Sequence, residues 1–334
     1  MTISAALLRG VVLLLCAALS AEFVARAFGI GDPPLLVDDP LTEYRYAPST
    51  SYRRFGNEIS YNRWSMRSPD FPARKAFAGE QRVLVIGDSV VNGGTLTDQA
   101  SIATSLLQSA LGSSFTVGNI SAWSWGPANQ LGYIQEFGWF DADFVILVTS
   151  VRDLTDVPTF DAEPDPDLPR VKPPFALWEV ATRYLPRYLP TFRLSSPKAA
   201  RSGSRTDPAL VQAASASLAA LLREAKHQAD GRVAILHHHA IDEEDDTARH
   251  LAGVLSALAA DQGIAVLEMN DVLGRGDQAR HFYRDDIHLS ADGQAAYATV
   301  MECVVRAFEA DQPVQPCAKP EEAVLWPTLR PDRN

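Results

Sequence analysis

The chain has 334 residues, 46% apolar and 21% charged, which excludes a disordered or fibrous protein and allows one large domain or two small ones. Thirty Lys and Arg against forty-one Asp and Glu leave a formal charge of −11, which repels phosphate backbones and excludes nucleic acid as an expected partner. Three cysteines, Cys16, Cys303 and Cys317, are too few for a disulfide scaffold, and no CxxC pair points to structural zinc.

Residues 10–21 (GVVLLLCAALSA) form an uncharged apolar run between Arg9 and Glu22. Twelve helical residues reach only about 18 Å, short of a hydrocarbon core of about 30 Å. Residues 3–25 are long enough, with Arg9 snorkelling toward the cytoplasmic interface. The positive flank and the small Ala18 and Ser20 also fit a cleavable signal peptide. Residues 1–28 are therefore read as a membrane anchor or signal peptide, with a buried helix of a soluble domain as the alternative. Leu15 before Cys16 argues against a lipoprotein signal. Both export readings place the remainder in the periplasm, either secreted or held at the inner membrane. In that oxidising compartment Cys303 and Cys317 become a candidate disulfide, against a buried thiol at Cys303 with Cys317 unpaired.

Residues 29–80, rich in Pro, Arg, Tyr and Asp without a long period, read as an extended linker or an ordered lead-in. Beyond residue 81 the pattern becomes regular. Apolar runs at 83–86, 115–120, 144–148, 233–236 and 264–267 have the length and composition of parallel strands buried on both faces. Between and after them, 101–111, 130–140, 209–230, 246–262 and 290–308 carry helical spacing. Strands alternating with helices force parallel pairing through right-handed crossovers. The expected fold is a three-layer α/β/α doubly wound sheet of about five parallel strands over residues 81–310. Residues 153–206 interrupt it with a Pro- and charge-rich insertion, whose amphipathic 175–188 caps the site, rests on a membrane interface or is a plain surface excursion. Residues 311–334 form a tail.

The first strand runs into Gly87-Asp88-Ser89, and ligands bind at the carboxyl ends of strands in parallel α/β sheets. Serine is a poor nucleophile until a base takes its proton. Asp285-Asp286-Ile287-His288, after the fifth strand and before the last helix, offers one: Asp285 at i orients an imidazole at i+3 whose other nitrogen faces a serine. Ser290 is a good N-cap for that last helix. The His237-His238-His239 run ends the fourth strand. Alternation sends neighbours to opposite faces, so all three cannot ligate one ion. A divalent site using the following Asp242-Glu243-Glu244-Asp245 is the alternative there. Trp123 and Trp125 either pack or stack on a sugar ring. Phosphate-loop and dinucleotide fingerprints are absent, and no metal or organic cofactor is expected.

Gly-Asp-Ser after the first strand and Asp-x-x-His before the last helix together resemble the SGNH (GDSL-type) hydrolase family over residues 81–310. The lead-in, with Asp32-Pro33-Pro34-Leu35 and Arg54-Phe55-Gly56-Asn57, is similar to membrane-anchored bacterial members. The resemblance implies the same flavodoxin-like fold, with Ser89 as nucleophile, His288 as general base and then acid, and Asp285 as its orienter. Two positions depart. Where the family has an oxyanion glycine, this chain has Ala122-Trp123-Ser124-Trp125-Gly126, with Ser124 the first equivalent and Gly126 the second. Where it has Gly-x-Asn-Asp, this chain has Ser150-Val151-Arg152-Asp153. The expected oxyanion donors are the Ser89 and Ser124 amides with Arg152 in place of the asparagine; otherwise Asn92, Asn119 or Asn129 supplies the amide, or activity is low. The expected function is an exported serine esterase acting on acyl, above all acetyl, esters of an acylated carbohydrate or another small ester. An O-acyltransferase with the same triad and a weakly catalytic glycan-binding or export-assembly protein are the alternatives.

Overall fold

The computed structural model describes residues 5–160, 167–188, 207–241, 243 and 245–319. Most of the acidic run in the insertion, residues 189–206, Asp242, Glu244 and the tail beyond 319 lie outside the described residues.

Helix α1 (Ala5–Ala27) has a mean hydropathy of 2.0 over its most apolar window, none of which is buried, so it is not a core helix. Two antiparallel hairpins follow, β1 (Leu36–Asp39) with β2 (Glu43–Tyr46) and β3 (Thr50–Arg54) with β4 (Asn57–Tyr61). Residues 29–80 are thus ordered rather than a linker. Tyr44, Tyr46, Tyr52, Ile59 and Tyr61 are buried in the main core, and Tyr46 stacks on Tyr61 at 4.2 Å between ring centroids.

The central sheet is built from β5 (Gln81–Gly87), β6 (Phe115–Ser121), β7 (Phe144–Ser150), β8 (Val233–His238) and β9 (Ala265–Glu268). Its order is β6-β5-β7-β8-β9, parallel throughout. Every residue of β7 is buried, which explains its unbroken apolar run. Within β5, alternation sends Leu84 and Ile86 to one core and Val83 and Val85 to the other. The helices in chain order are α2 (Ser89–Asn92), α3 (Ala103–Leu111), α4 (Pro127–Phe137), α5 (Ala176–Glu179), α6 (Leu185–Tyr188), α7 (Pro208–Gln228), α8 (Asp246–Gln262), α9 (Asn270–Leu273) and α10 (Ala291–Glu309). The first core gathers α4, α7 and α8 with the hairpin tyrosines; the second gathers α3 and α10. A π-helical turn, Val180–Tyr184, joins α5 to α6.

Helix α4 begins three residues before the expected start, because Pro127 occupies its first turn and Asn129 Oδ1 accepts the Gly126 amide at its N-cap. Ser290 caps α10 by accepting the Gly293 amide. Cys303, on α10, is disulfide-bonded to Cys317, 14 positions on, which fastens the start of the tail.

The insertion is locked to the end of α1. Glu22 accepts the Ala176 and Leu177 amides at the start of α5, at 2.8 and 2.9 Å. Glu179 accepts the Gly31 amide and pairs with the fully buried Arg54, which also donates to the Gly29 carbonyl.

Candidate active site

In this strand order the chain reverses direction between β5 and β7, and the crevice at the carboxyl ends of those two strands is where such a sheet accepts ligands. Ser89 is the first residue of α2, directly after β5, and opens on that crevice. The turn is tight. A Cβ on Gly87 would sit 2.5 Å from Val91 Cγ2 and 2.9 Å from the Val148 carbonyl oxygen of β7, so only glycine fits. Asp88 caps α2 by accepting the Val90 amide at 2.8 Å. As the first helical residue, Ser89 has an amide with no intrahelical acceptor.

The structure brings Ser89, Asp285 and His288 together across 199 positions of sequence. Nε2 of His288 lies 2.9 Å from Ser89 Oγ, and Nδ1 lies 2.8 Å from Oδ2 and 3.0 Å from Oδ1 of Asp285. Asp285 Oδ1 also accepts the backbone amides of His288 at 2.7 Å and Ile287 at 3.1 Å. Partial burial pulls the Asp285 carboxyl up, but those two amides and the neighbouring imidazole outweigh it and hold it below the usual carboxylate range. An ionised acceptor at Nδ1 puts the histidine proton there and leaves Nε2 free to take a hydroxyl proton.

Three residues whose part here sequence reasoning did not find fix this arrangement. His238, fully buried, has its pKa lowered to about 3, chiefly by burial, and is neutral. Its Nε2–H donates to the Ile287 carbonyl at 2.8 Å, and its Nδ1 accepts the Tyr297 hydroxyl at 2.6 Å. Arg284 donates to the Gly93 carbonyl and Thr97 Oγ1, at 2.9 and 3.0 Å, and so ties the histidine turn to the loop behind Ser89. Arg67, from the lead-in, is fully buried and donates to the carbonyls of Asn92, Gly94 and Thr97 in that same loop. A run of three histidines and two isolated arginines carry no local pattern that reveals these ties.

Around the expected oxyanion position the candidates separate. Ser124 has φ 53°, in the left-handed region that glycine enters without penalty, so it stands where a glycine belongs. Its amide has no hydrogen-bond partner among the described residues, while its Oγ donates to Asp156 Oδ2 at 2.5 Å. Gly126 is not available, since its amide donates to Asn129 Oδ1 at 3.0 Å. Each asparagine amide is also committed: Asn92 Nδ2 to Ser121, Asn119 Nδ2 to the Val91 carbonyl and Thr104, Asn129 Nδ2 to the Thr42 carbonyl. Arg152 donates through Nε to the buried Glu243 carboxylate at 3.1 Å, a pairing over 91 positions. Beneath the crevice lies a second acid, Asp153, whose Oδ2 accepts the Ser150 amide and the Thr149 hydroxyl. Burial, and next the charge of Asp88, push its carboxyl well above the ordinary range.

The two tryptophans play different parts. Trp125 is buried, with its indole N–H on the Tyr44 carbonyl at 2.9 Å, so it packs and does not stack on a ligand. Trp123 is exposed, 6.1 Å between ring centroids from His288, and its carbonyl accepts the Tyr44 hydroxyl at 2.6 Å. Hairpin β1–β2 therefore holds the 122–126 loop from behind.

No family model matches the chain, and no curated protein matches it by sequence. Among solved structures, it is similar to an alpha/beta hydrolase enzyme from the metagenome of Lake Arreo, Spain, at 14% identity and a TM-score of 0.42, over 73% of this chain and 98% of that one. A lipase/acylhydrolase from Enterococcus faecalis is similar at 11% identity and 0.41, over 69% and 96%. A member of the lipolytic protein G-D-S-L family from Veillonella parvula is similar at 13% identity and 0.37, over 69% and 97%. Likeness of this size carries no argument about activity, and the chemistry rests on the geometry above.

Proposed function

We propose that the chain is a serine ester hydrolase of the SGNH type, exported and anchored by α1, that removes acyl groups from an envelope or exported carbohydrate. The observation that carries this reading is the unbroken line Asp285 Oδ2, His288 Nδ1, His288 Nε2, Ser89 Oγ, with spacings of 2.8 and 2.9 Å. Ser89 Oγ attacks the ester carbonyl while its proton passes to His288 Nε2. The imidazolium is balanced by Asp285 and returns the proton to the departing alcohol. Water then attacks the acyl-serine with His288 again as base. The negative oxygen of both tetrahedral intermediates is met by the amides of Ser89 and Ser124. Trp123, exposed beside His288, suits the apolar face of a sugar ring and favours a carbohydrate ester.

The anchor reading, as opposed to a cleaved signal, draws support from two features. Helix α1 runs unbroken for 23 residues, about 34 Å, and its last turns reach into the fold through Glu22. Phe175 at the N-cap of the docked α5 and Trp178 on it are exposed, as residues resting on a bilayer surface would be.

A second reading is favoured by one observation: all three asparagine amides are committed and the Nε of Arg152 is bonded to Glu243, which leaves only the terminal guanidinium nitrogens of Arg152 in place of a family asparagine amide. Loss of one donor costs about 10²–10³ in rate, which suits a slow enzyme or a glycan-binding relative. Full-length protein in detergent decides between them. Hydrolysis of p-nitrophenyl acetate that Ser89→Ala abolishes, with fluorophosphonate labelling of Ser89, supports the esterase. Equal inertness of both proteins across acyl esters removes it. Acyl transfer to a glycan acceptor outpacing release into water would make the same site a transferase.

A further inference from the structure

The carboxyl end of β8 carries a cluster that the proposed chemistry does not use. Strand alternation puts His237 and His239 on one face and His238 on the other, where His238 is occupied beneath Ile287. In the β8–β9 register His237 stands opposite Glu268. Nδ1 of His237 lies 2.9 Å, and Nε2 of His239 lies 2.8 Å, from the same oxygen, Glu268 Oε2. The two imidazole rings are 4.0 Å apart between centroids. All three donor atoms fall within 4.8 Å of one another.

We propose that His237, His239 and Glu268 form a site for a divalent transition-metal ion of the zinc type. Two imidazole nitrogens and one carboxylate oxygen are borderline donors, which suit Zn²⁺, Co²⁺ or Ni²⁺ and not the all-oxygen shells of Mg²⁺ or Ca²⁺. Bonds of about 2.0–2.1 Å in a tetrahedron need donors about 3.3 Å apart, so the present spacings widen by only about half an ångström. The fourth position stays open to water or an anion, because Glu268 reaches solvent while His237 is sealed.

Hydrogen bonding alone accounts poorly for this cluster. His237 is fully buried at a strand position that usually takes an aliphatic side chain, and its Nε2 has no hydrogen-bond partner among the described residues. The same orphan nitrogen sets the strength. Metal-bound histidines normally donate their second N–H to an acceptor, so a site without that bond binds in the micromolar range. Of the acids after the run, Glu243 faces Arg152 and Asp245 caps α8, while Asp242 and Glu244 lie outside the described residues. An ion here would fasten the edge strand β9 to β8, at the carboxyl ends of the strands as Ser89 is, but on the opposite face of β8 from His238.

Untagged full-length protein in detergent, stripped by a chelator, is titrated with Co²⁺ and then with Zn²⁺. One equivalent of Co²⁺ is expected to give the visible bands of a tetrahedral centre, and Zn²⁺ to displace them. Glu268→Gln and His239→Ala, checked for folding by circular dichroism, each weaken Co²⁺ binding by at least about 100-fold. Glu268→Gln keeps an acceptor between the rings, so it tests the ligand without emptying the strand end. His288→Ala leaves binding within about twofold. Absence of bands at millimolar Co²⁺, bands that survive both ligand variants, or bands lost in His288→Ala each overturn the site.

Discussion

Replacing Asp285 by asparagine tests the site more sharply than deleting the side chain. The amides of Ile287 and His288 both donate to Oδ1, so an asparagine keeps its carbonyl oxygen there. Its NH₂ group then falls at the Oδ2 position, 2.8 Å from Nδ1 of His288. Two N–H groups cannot face each other, so the ring shifts its proton to Nε2 and loses the lone pair that serves Ser89. For a buried carboxylate the wrong tautomer costs about 10⁴ in rate. Asp285 is half exposed, so water competes at Nδ1, and the loss expected here is about 10²–10³, or about 3–4 kcal/mol. Asp285→Ala leaves room for water to accept the Nδ1 proton and keeps the correct tautomer, at a loss of only about 10–10². It does, however, strip both amides of their acceptor, at about 1 kcal/mol of stability. The two variants thus rank oppositely. In kcat/KM on p-nitrophenyl acetate, wild type exceeds alanine, which exceeds asparagine; in Tm, asparagine exceeds alanine. Asparagine within tenfold of wild type, or more active than alanine, would refute the reasoning.

Ser124→Gly keeps the backbone amide and the left-handed turn while removing the hydroxyl from Asp156; kcat should stay within about tenfold of wild type, and a larger loss would assign the effect to Oγ rather than the amide. Cys303→Ser opens a loop of 14 positions and should cost about 3 kcal/mol, seen as a lower Tm that reductant reproduces in wild type but not in the variant. Burial first, then sharing a proton with Asp39, raises the Glu136 carboxyl to about 7. Its contribution to stability is complete below its ordinary value of 4.5 and is lost as pH rises through about 7. Tm should therefore fall between about pH 5 and pH 8, and Glu136→Gln, which can still donate to Asp39, should flatten that slope; an unchanged slope would remove the assignment.

The five strands were readable because a parallel strand covered on both faces must be apolar at every position, as β7 is. Ser89 and His288 could be singled out because each sits where one element hands over to the next, a place a sequence marks with Gly87 on one side and the cap Ser290 on the other. The hairpins of the lead-in were not legible as strands. Most of their buried positions are polar or amphipathic, Tyr44, Tyr46, Tyr52, Tyr61 and Arg54 among them, and are covered only once the main core exists to receive them. Arg152 shows the limit in another form. Its place after β7 marks it as a candidate donor, whereas the partner of its Nε, Glu243, is 91 positions away and is met only in the folded sheet. The His237–Glu268 pair has the same character, since strand register is a property of the assembled sheet.

The joint between Glu22 and the start of α5 makes the N-terminal helix a strut and not a leash. A domain on a slack tether sweeps a wide volume and meets any ester in it. Under the proposed anchoring, one braced at its base keeps a single bearing and height above the lipid, so the proposed esterase would choose among esters by their position in the envelope as much as by their acyl group.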